Sequence, residues 1–274
     1  MPAFSATSLR TAMTKAARSR TFDMSGVTTS ALDLSGMAGR LYTPATLRTD
    51  IPLVYFHGGG FLFGDLESHD RLCCRLSALM GVRVLSADYR LAPAHPPPAQ
   101  LEDALAACRW VLAGNIGAHD RVMVGGDSAG GYLAARCALE LGRDAVSAEF
   151  LLYPLIQLSP DLWRDRTFGA SRWAGRVAVT WMAKHGLDRE YPPLAMFDLG
   201  ALPPTVISTG DWFDPVSPDA APFVTALEEA GVPVRSLRDA GLVHGEFCIP
   251  DRSPRAERVL ARIAAAADDL GLLG

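Results

Sequence analysis

Short apolar runs alternate with stretches of helical periodicity along most of the chain. Early strands are expected from Val27 to Leu34 and from Ala38 to Tyr42, the second ended by Pro44. Compact apolar runs at Ile51 to Phe56, Val82 to Ala87, Val122 to Gly126, Phe150 to Pro154, Thr205 to Ser208 and Val232 to Leu237 are too short for helices and predict buried strands. Between them, Leu72, Leu76 and Leu79 place a helix over His69 to Met80, capped by Ser68 and stopped by Gly81. Leu101, Leu105, Cys108 and Leu112 place another over Ala99 to Ala113. Further helices are expected over Tyr132 to Leu141, Ala220 to Ala230 and Arg255 to Leu270. This alternation is the pattern of an α/β fold with a largely parallel sheet covered on both faces.

Two segments depart from it. Residues 1 to 25 carry Leu9, Met13, Ala16 and Ala17 at helical spacing and predict an N-terminal cap segment. Residues 157 to 200 interleave Trp163, Phe168, Trp173, Trp181 and Met182 with charged residues and prolines. They predict a small helical cap inserted between a first core part, 26 to 156, and a second, 201 to 274.

Composition narrows the class. A chain of 274 residues suffices for one large α/β domain, and a net charge of −4 offers no basic surface for nucleic acid. The five cysteines form an odd set with no C-x-x-C pair, which predicts reduced thiols in a cytoplasmic protein rather than a disulfide framework or a metal site. No apolar run is long enough for a membrane span, so no membrane association is expected.

The chemistry concentrates where Val122-Met123-Val124 runs into Gly126-Asp127-Ser128-Ala129-Gly130, a match to G-x-S-x-G. Ser128 is thereby expected at a strand-to-helix corner. Gly126 and Gly130 lack the β-carbons that would block so sharp a turn, and the N–H of Ala129 faces a developing negative charge. His57-Gly58-Gly59-Gly60-Phe61 directly follows another strand, and no Gly-Lys-Ser/Thr follows to make it a P-loop. Backbone donors of this loop, with that of Ala129, would form an oxyanion hole. A serine nucleophile also needs a base and an orienting acid, in the chain order Ser, Asp, His on an α/β sheet. His244, after the last strand, fits the base. Asp211, Asp214 and Asp219 compete for the acid; Asp214, made rigid by Pro215, is favoured over Asp211 as runner-up.

Together, His57-Gly58-Gly59-Gly60-Phe61, Asp88-Tyr89-Arg90-Leu91-Ala92-Pro93, Gly126-Asp127-Ser128-Ala129-Gly130-Gly131, Asp214-Pro215 and His244-Gly245 resemble the hormone-sensitive-lipase-like (bacterial family IV) carboxylesterases. The resemblance implies an α/β-hydrolase fold with a small helical cap and a serine esterase acting on small, short-to-medium acyl esters, without metal or cofactor. It assigns Ser128, Asp214 and His244 to catalysis and the amides of Gly58, Gly59 and Ala129 to the oxyanion hole. It leaves open a homodimer formed through an edge strand. Phe61, Phe63, Tyr132, Trp212 and Phe213 are expected around the acyl pocket; Tyr132 stands where the family usually has Asn, and Glu246 interrupts its His-Gly-Phe. An amidase or a lactone or acetyl-ester hydrolase would use the same three side chains. A non-catalytic receptor of this fold would lack the base.

Overall fold

The structure is a computed structural model and describes residues 24–117, 120–158, 180, 182–211, 214–248 and 253–273. Its frame is one eight-stranded sheet built from β1 (Val27–Asp33), β2 (Ala38–Pro44), β3 (Leu53–Phe56), β4 (Val84–Ala87), β5 (Val122–Asp127), β6 (Val146–Leu152), β7 (Thr205–Thr209) and β8 (Val234–Arg238). The spatial order is β1-β2-β4-β3-β5-β6-β7-β8. β1 and β2 pair antiparallel, and β2 meets β4 antiparallel. From β4 to β8 every pairing is parallel.

Burial follows position in that order. Every residue of β3, β4, β5 and β7 is buried, as continuous apolar runs in a doubly covered sheet should be. β1, at one edge, exposes Thr28, Thr29 and Ser30. The covering helices are α1 (Asp70–Met80), α2 (Ala99–Leu112), α3 (Ala129–Ala145), the short α4 (Leu187–Glu190), α5 (Ser217–Glu229) and α6 (Pro254–Asp269).

Several element boundaries depart from the pattern. Ser68 does not cap α1: its hydroxyl donates to Asp65 O and its amide donates to Asp65 Oδ1, while His69 takes the cap position without a capping bond from its side chain. Gly81 does end α1, with φ of 65° and its N–H on Ser77 O. β6 begins at Val146 rather than Phe150, because Glu149 is buried and accepts from the Thr205 hydroxyl at 2.7 Å. α5 starts at Ser217, three residues early, since Pro218 occupies its first turn, where no N–H is needed. The expected N-terminal helix lies outside the described residues, as does half of the expected cap. Residues 182–201 hold α4 and two 3-10 turns, Leu194–Met196 and Leu199–Ala201.

The parallel strands run the same way, so their C-terminal ends open on one side of the sheet. The His57 loop leaves β3 there, Ser128 leaves β5, Asp214 follows β7 and His244 follows β8. Groups far apart in sequence are gathered at the place where such folds bind ligands.

Candidate active site

Ser128 stands between β5 and α3 with φ of 53° and ψ of −117°, a conformation that costs a non-glycine residue on the order of 1–3 kcal/mol. The surroundings hold it: its N–H donates to Leu152 O at 3.0 Å, and its carbonyl accepts from Leu155 N at 2.8 Å. The turn also demands close backbone approach. A β-carbon on Gly130 would overlap the Phe56 carbonyl, and one on Gly126 would overlap the Gly130 carbonyl. β3, the elbow and α3 can therefore pack together only with glycine at both places.

The Ser128 hydroxyl is 2.8 Å from His244 Nε2, and His244 Nδ1 is 2.9 Å from Asp214 Oδ1. Asp214 is 3% exposed and accepts two further bonds, from Gly210 N and Val216 N. Those amides fix both carboxylate oxygens, so the acid presents one edge to the imidazole. Asp211, the runner-up, instead accepts from Gly241 N at 3.0 Å and ties the β7 loop to the loop before His244. Asp219 receives the Gln157 amide.

Glu246, the residue that interrupts the family's His-Gly-Phe, is buried and organises the His244 loop. It accepts from Val243 N at 2.9 Å and from the Ser253 hydroxyl. Tyr153, after β6, stacks on Phe247 and lies with its ring centroid 4.7 Å from that of His244. Glu246 stood out in the sequence only as a departure from the family pattern, and Tyr153 not at all, because it belongs to no motif.

The glycine loop corrects one expectation. The Gly58 N–H is turned inward, donating to Asp127 Oδ1 at 2.9 Å, with His69 Nε2 at 3.2 Å. It is occupied and does not face an incoming oxyanion. Gly59, at φ of 119°, reverses the chain: its carbonyl accepts from Leu62 N and Phe63 N, and a β-carbon there would strike the Phe63 carbonyl. Among the described residues no acceptor is recorded for the N–H of Gly59, Gly60 or Ala129.

Behind the loop is a buried polar cluster. Asp127 Oδ1 also accepts from the Tyr55 hydroxyl at 2.9 Å, and the Tyr89 hydroxyl donates to His57 O at 2.7 Å. Burial disfavours charge on His57 and pushes its imidazole down to about 4. Burial opposes charge on His69 as well, but the adjoining Cys248 and Asp127 raise it well above the ordinary value. Burial alone would raise the Asp127 carboxyl; His69 and the Tyr55 hydroxyl lower it.

Of the expected pocket residues, Phe61 and Tyr132 are fully buried in an aromatic cluster with Tyr191, and the Tyr132 hydroxyl donates to Pro192 O. They form packed core beneath the site rather than an open wall. Phe63 is partly buried against that core. Trp212 and Phe213 lie outside the described residues.

A mostly parallel sheet whose elbow serine contacts a histidine and an aspartate in series defines the class of α/β hydrolases. The chain belongs to that family: the alpha/beta hydrolase fold model matches residues 53–248. Within it the chain falls among the hormone-sensitive-lipase-like carboxylesterases. It is 37% identical over 235 residues to the esterase LipI of Mycobacterium tuberculosis, covering 78% of this chain and 73% of that one. It is 34% identical over 252 residues to the carboxylesterase NlhH of the same organism, covering 85% and 78%. The crystal structure of EstE1, a thermostable carboxylesterase cloned from a metagenomic library, superposes with a TM-score of 0.84 at 27% identity, covering 100% of this chain and 99% of that one. An esterase of the bacterial hormone-sensitive lipase family superposes at 0.82 with 25% identity, covering 100% and 94%.

Proposed function

We propose that this chain, a carboxylic ester hydrolase of that family, cleaves small short-to-medium acyl esters through an acyl-enzyme formed on Ser128. The observation that carries this reading is the unbroken path from the Ser128 hydroxyl through His244 to Asp214, with both contacts below 3 Å. His244 Nε2 takes the serine proton as Ser128 Oγ attacks the ester carbonyl, then passes it to the leaving alcohol. Water, deprotonated by the same nitrogen, releases the acid and returns the serine. Asp214 keeps Nδ1 protonated and compensates the imidazolium.

The oxyanion is assigned to the N–H groups of Gly59, Gly60 and Ala129, since the Gly58 amide is committed to Asp127. Loss of one such donor typically costs about 3–4 kcal/mol of transition-state stabilisation. The aromatic cluster of Phe61, Tyr132 and Tyr191 fills the interior behind the loop and supports small acyl groups. Among the described residues no helix is long and apolar enough to cross a membrane. The free state of all five cysteines supports a cytoplasmic location.

The test is hydrolysis of p-nitrophenyl esters from acetate to decanoate by wild type and Ser128→Ala, each shown to be folded by circular dichroism. Turnover favouring the shorter chains and a loss of at least about 10⁴-fold in the variant are expected. A folded wild type that hydrolyses none of the series would overturn the reading.

A further inference from the structure

Three side chains outside the proposed machinery converge beneath the glycine loop: His69 at the start of α1, Asp127 at the end of β5, and Cys248 in the 3-10 turn Glu246–Cys248. Cys248 Sγ is 3.0 Å from His69 Nε2, His69 Nε2 is 3.3 Å from Asp127 Oδ2, and Asp127 Oδ2 is 3.8 Å from Cys248 Sγ. These are thiolate, imidazole and carboxylate donors, one atom from each, all within 4.8 Å of one another. The geometry points to a binding site for one divalent transition-metal ion of zinc type, held by Cys248 Sγ, His69 Nε2 and Asp127 Oδ2.

Spacing is the first support. Zinc holds nitrogen and oxygen at about 2.0–2.2 Å and sulfur at about 2.3 Å. A triangle with edges of 3.0, 3.3 and 3.8 Å has its three corners about that far from a common centre. The ligands need no gross rearrangement to close on an ion.

The outer contacts are the second. A metal-bound imidazole is normally oriented through its other ring nitrogen, and His69 Nδ1 is 3.0 Å from the Ser68 hydroxyl, which itself donates to Asp65 O. Asp127 is held likewise: Tyr55 and Gly58 donate to Oδ1, which lies 3.1 Å from His69 Nε2, while Oδ2 faces both the ring nitrogen and the sulfur. The Tyr153 hydroxyl is a third polar group here. It is buried and lies close enough to Cys248 to lower its thiol, against the effect of burial.

Ligand chemistry selects the ion. Sulfur and imidazole favour zinc-type ions over magnesium or calcium, and one thiolate plus one carboxylate neutralise a divalent charge in a buried place. Binding forms bonds from the ion to sulfur, nitrogen and oxygen and releases to solvent the protons that the thiol and the ring nitrogen carried. The sequence shows no metal-ligand spacing because the donors come from residues 69, 127 and 248, brought together only by the sheet.

The deciding experiment is equilibrium dialysis of the purified, metal-stripped full chain against Zn²⁺, with Co²⁺ absorption spectra as a second readout, for wild type and Cys248→Ala. Cys248 is the least buried of the three donors, and circular dichroism checks that the variant folds. One Zn²⁺ per wild-type chain, a thiolate-to-cobalt absorption band, and a Zn²⁺-dependent rise in thermal midpoint are expected. Cys248→Ala should lose the band and bind Zn²⁺ at least about 10-fold more weakly. His69→Gln should do the same; if it does not fold, the cysteine variant alone decides. Absence of Zn²⁺ binding to wild type, or binding and cobalt spectra unchanged in Cys248→Ala, would overturn the proposal. None of these readouts depends on ester turnover, so they stand or fall apart from the esterase reading.

Discussion

His244 lies between two oxygens, the Ser128 hydroxyl at 2.8 Å and the Asp214 carboxylate at 2.9 Å, and what it can do depends on which aspartate faces it. Asp211 and Asp214 are three residues apart on the same loop, and the sequence favours Asp214 through Pro215, through Asp211's closeness to the strand end, and through the family resemblance. Their hydrogen bonds separate them: Asp214 meets the ring, while Asp211 meets the Gly241 amide. Asp214→Asn is therefore expected to lower kcat by about 10⁴-fold with little change in fold, as removal of the orienting charge does in such triads. Asp211→Asn should stay within a few-fold of wild type. Steady-state kinetics on p-nitrophenyl acetate compare the two, and equal losses would place the acid wrongly. The misassigned Gly58 amide has a different origin. Which way a glycine N–H points is set by its buried partner Asp127, 69 positions away, and no local pattern of three glycines encodes that.

At the scale of the element, the apolar runs of β3, β4 and β5 mark buried strands, whereas the pattern starts β6 four residues late. The cause is Glu149, a carboxyl in the core that accepts from the Thr205 hydroxyl on β7 and, among the described residues, has no partner for its Oε2. Burial raises this carboxyl from its ordinary 4.5 to about 7. The folded protein thus retains a proton that the unfolded chain releases. The associated stability is complete below about pH 4.5 and is lost as pH rises to about 7. Glu149→Gln keeps an acceptor for Thr205 and removes the ionisation. Near pH 8 it should be more stable than wild type by about 3 kcal/mol, with the gap closing toward pH 5. Thermal midpoints at the two pH values check this, and parallel curves would exclude a titrating Glu149. The helices were read closely wherever a glycine stopped them, as at Gly81 and Gly231. The pattern starts α5 at Ala220, three residues late, because Pro218 resembles a breaker in a sequence although it occupies a first turn that tolerates it.

For the molecule as a whole, the alternation of strands and helices was enough to indicate a parallel sheet, since each helix must cover a face that a strand leaves apolar. The order of strands was not legible. It depends on crossovers such as that placing β4 outside β3, which are decided by packing between distant segments. Stability is distributed over that assembly, including parts remote from the chemistry. α6 buries Val259, Leu260, Ile263 and Ala267 against the body of the protein, and Glu257 on it accepts from Arg71 and Arg75 of α1. Ile263→Ala should cost about 2–5 kcal/mol and lower the thermal midpoint by roughly 5–15 °C, leaving KM for p-nitrophenyl esters near the wild-type value. A KM shift comparable to the loss of stability would mean that α6 shapes the substrate site.

The arrangement of strand ends also sets a timetable. A chain emerging from the ribosome through β6 already carries the elbow serine and the glycine loop, but the acid and the base follow β7 and β8, and His244 lies 116 positions beyond Ser128. Until those late strands pair along the edge begun by β6, the nascent polypeptide holds a hydroxyl without a proton acceptor. No chain that ends before β8 can therefore bring the serine, the acid and the base together.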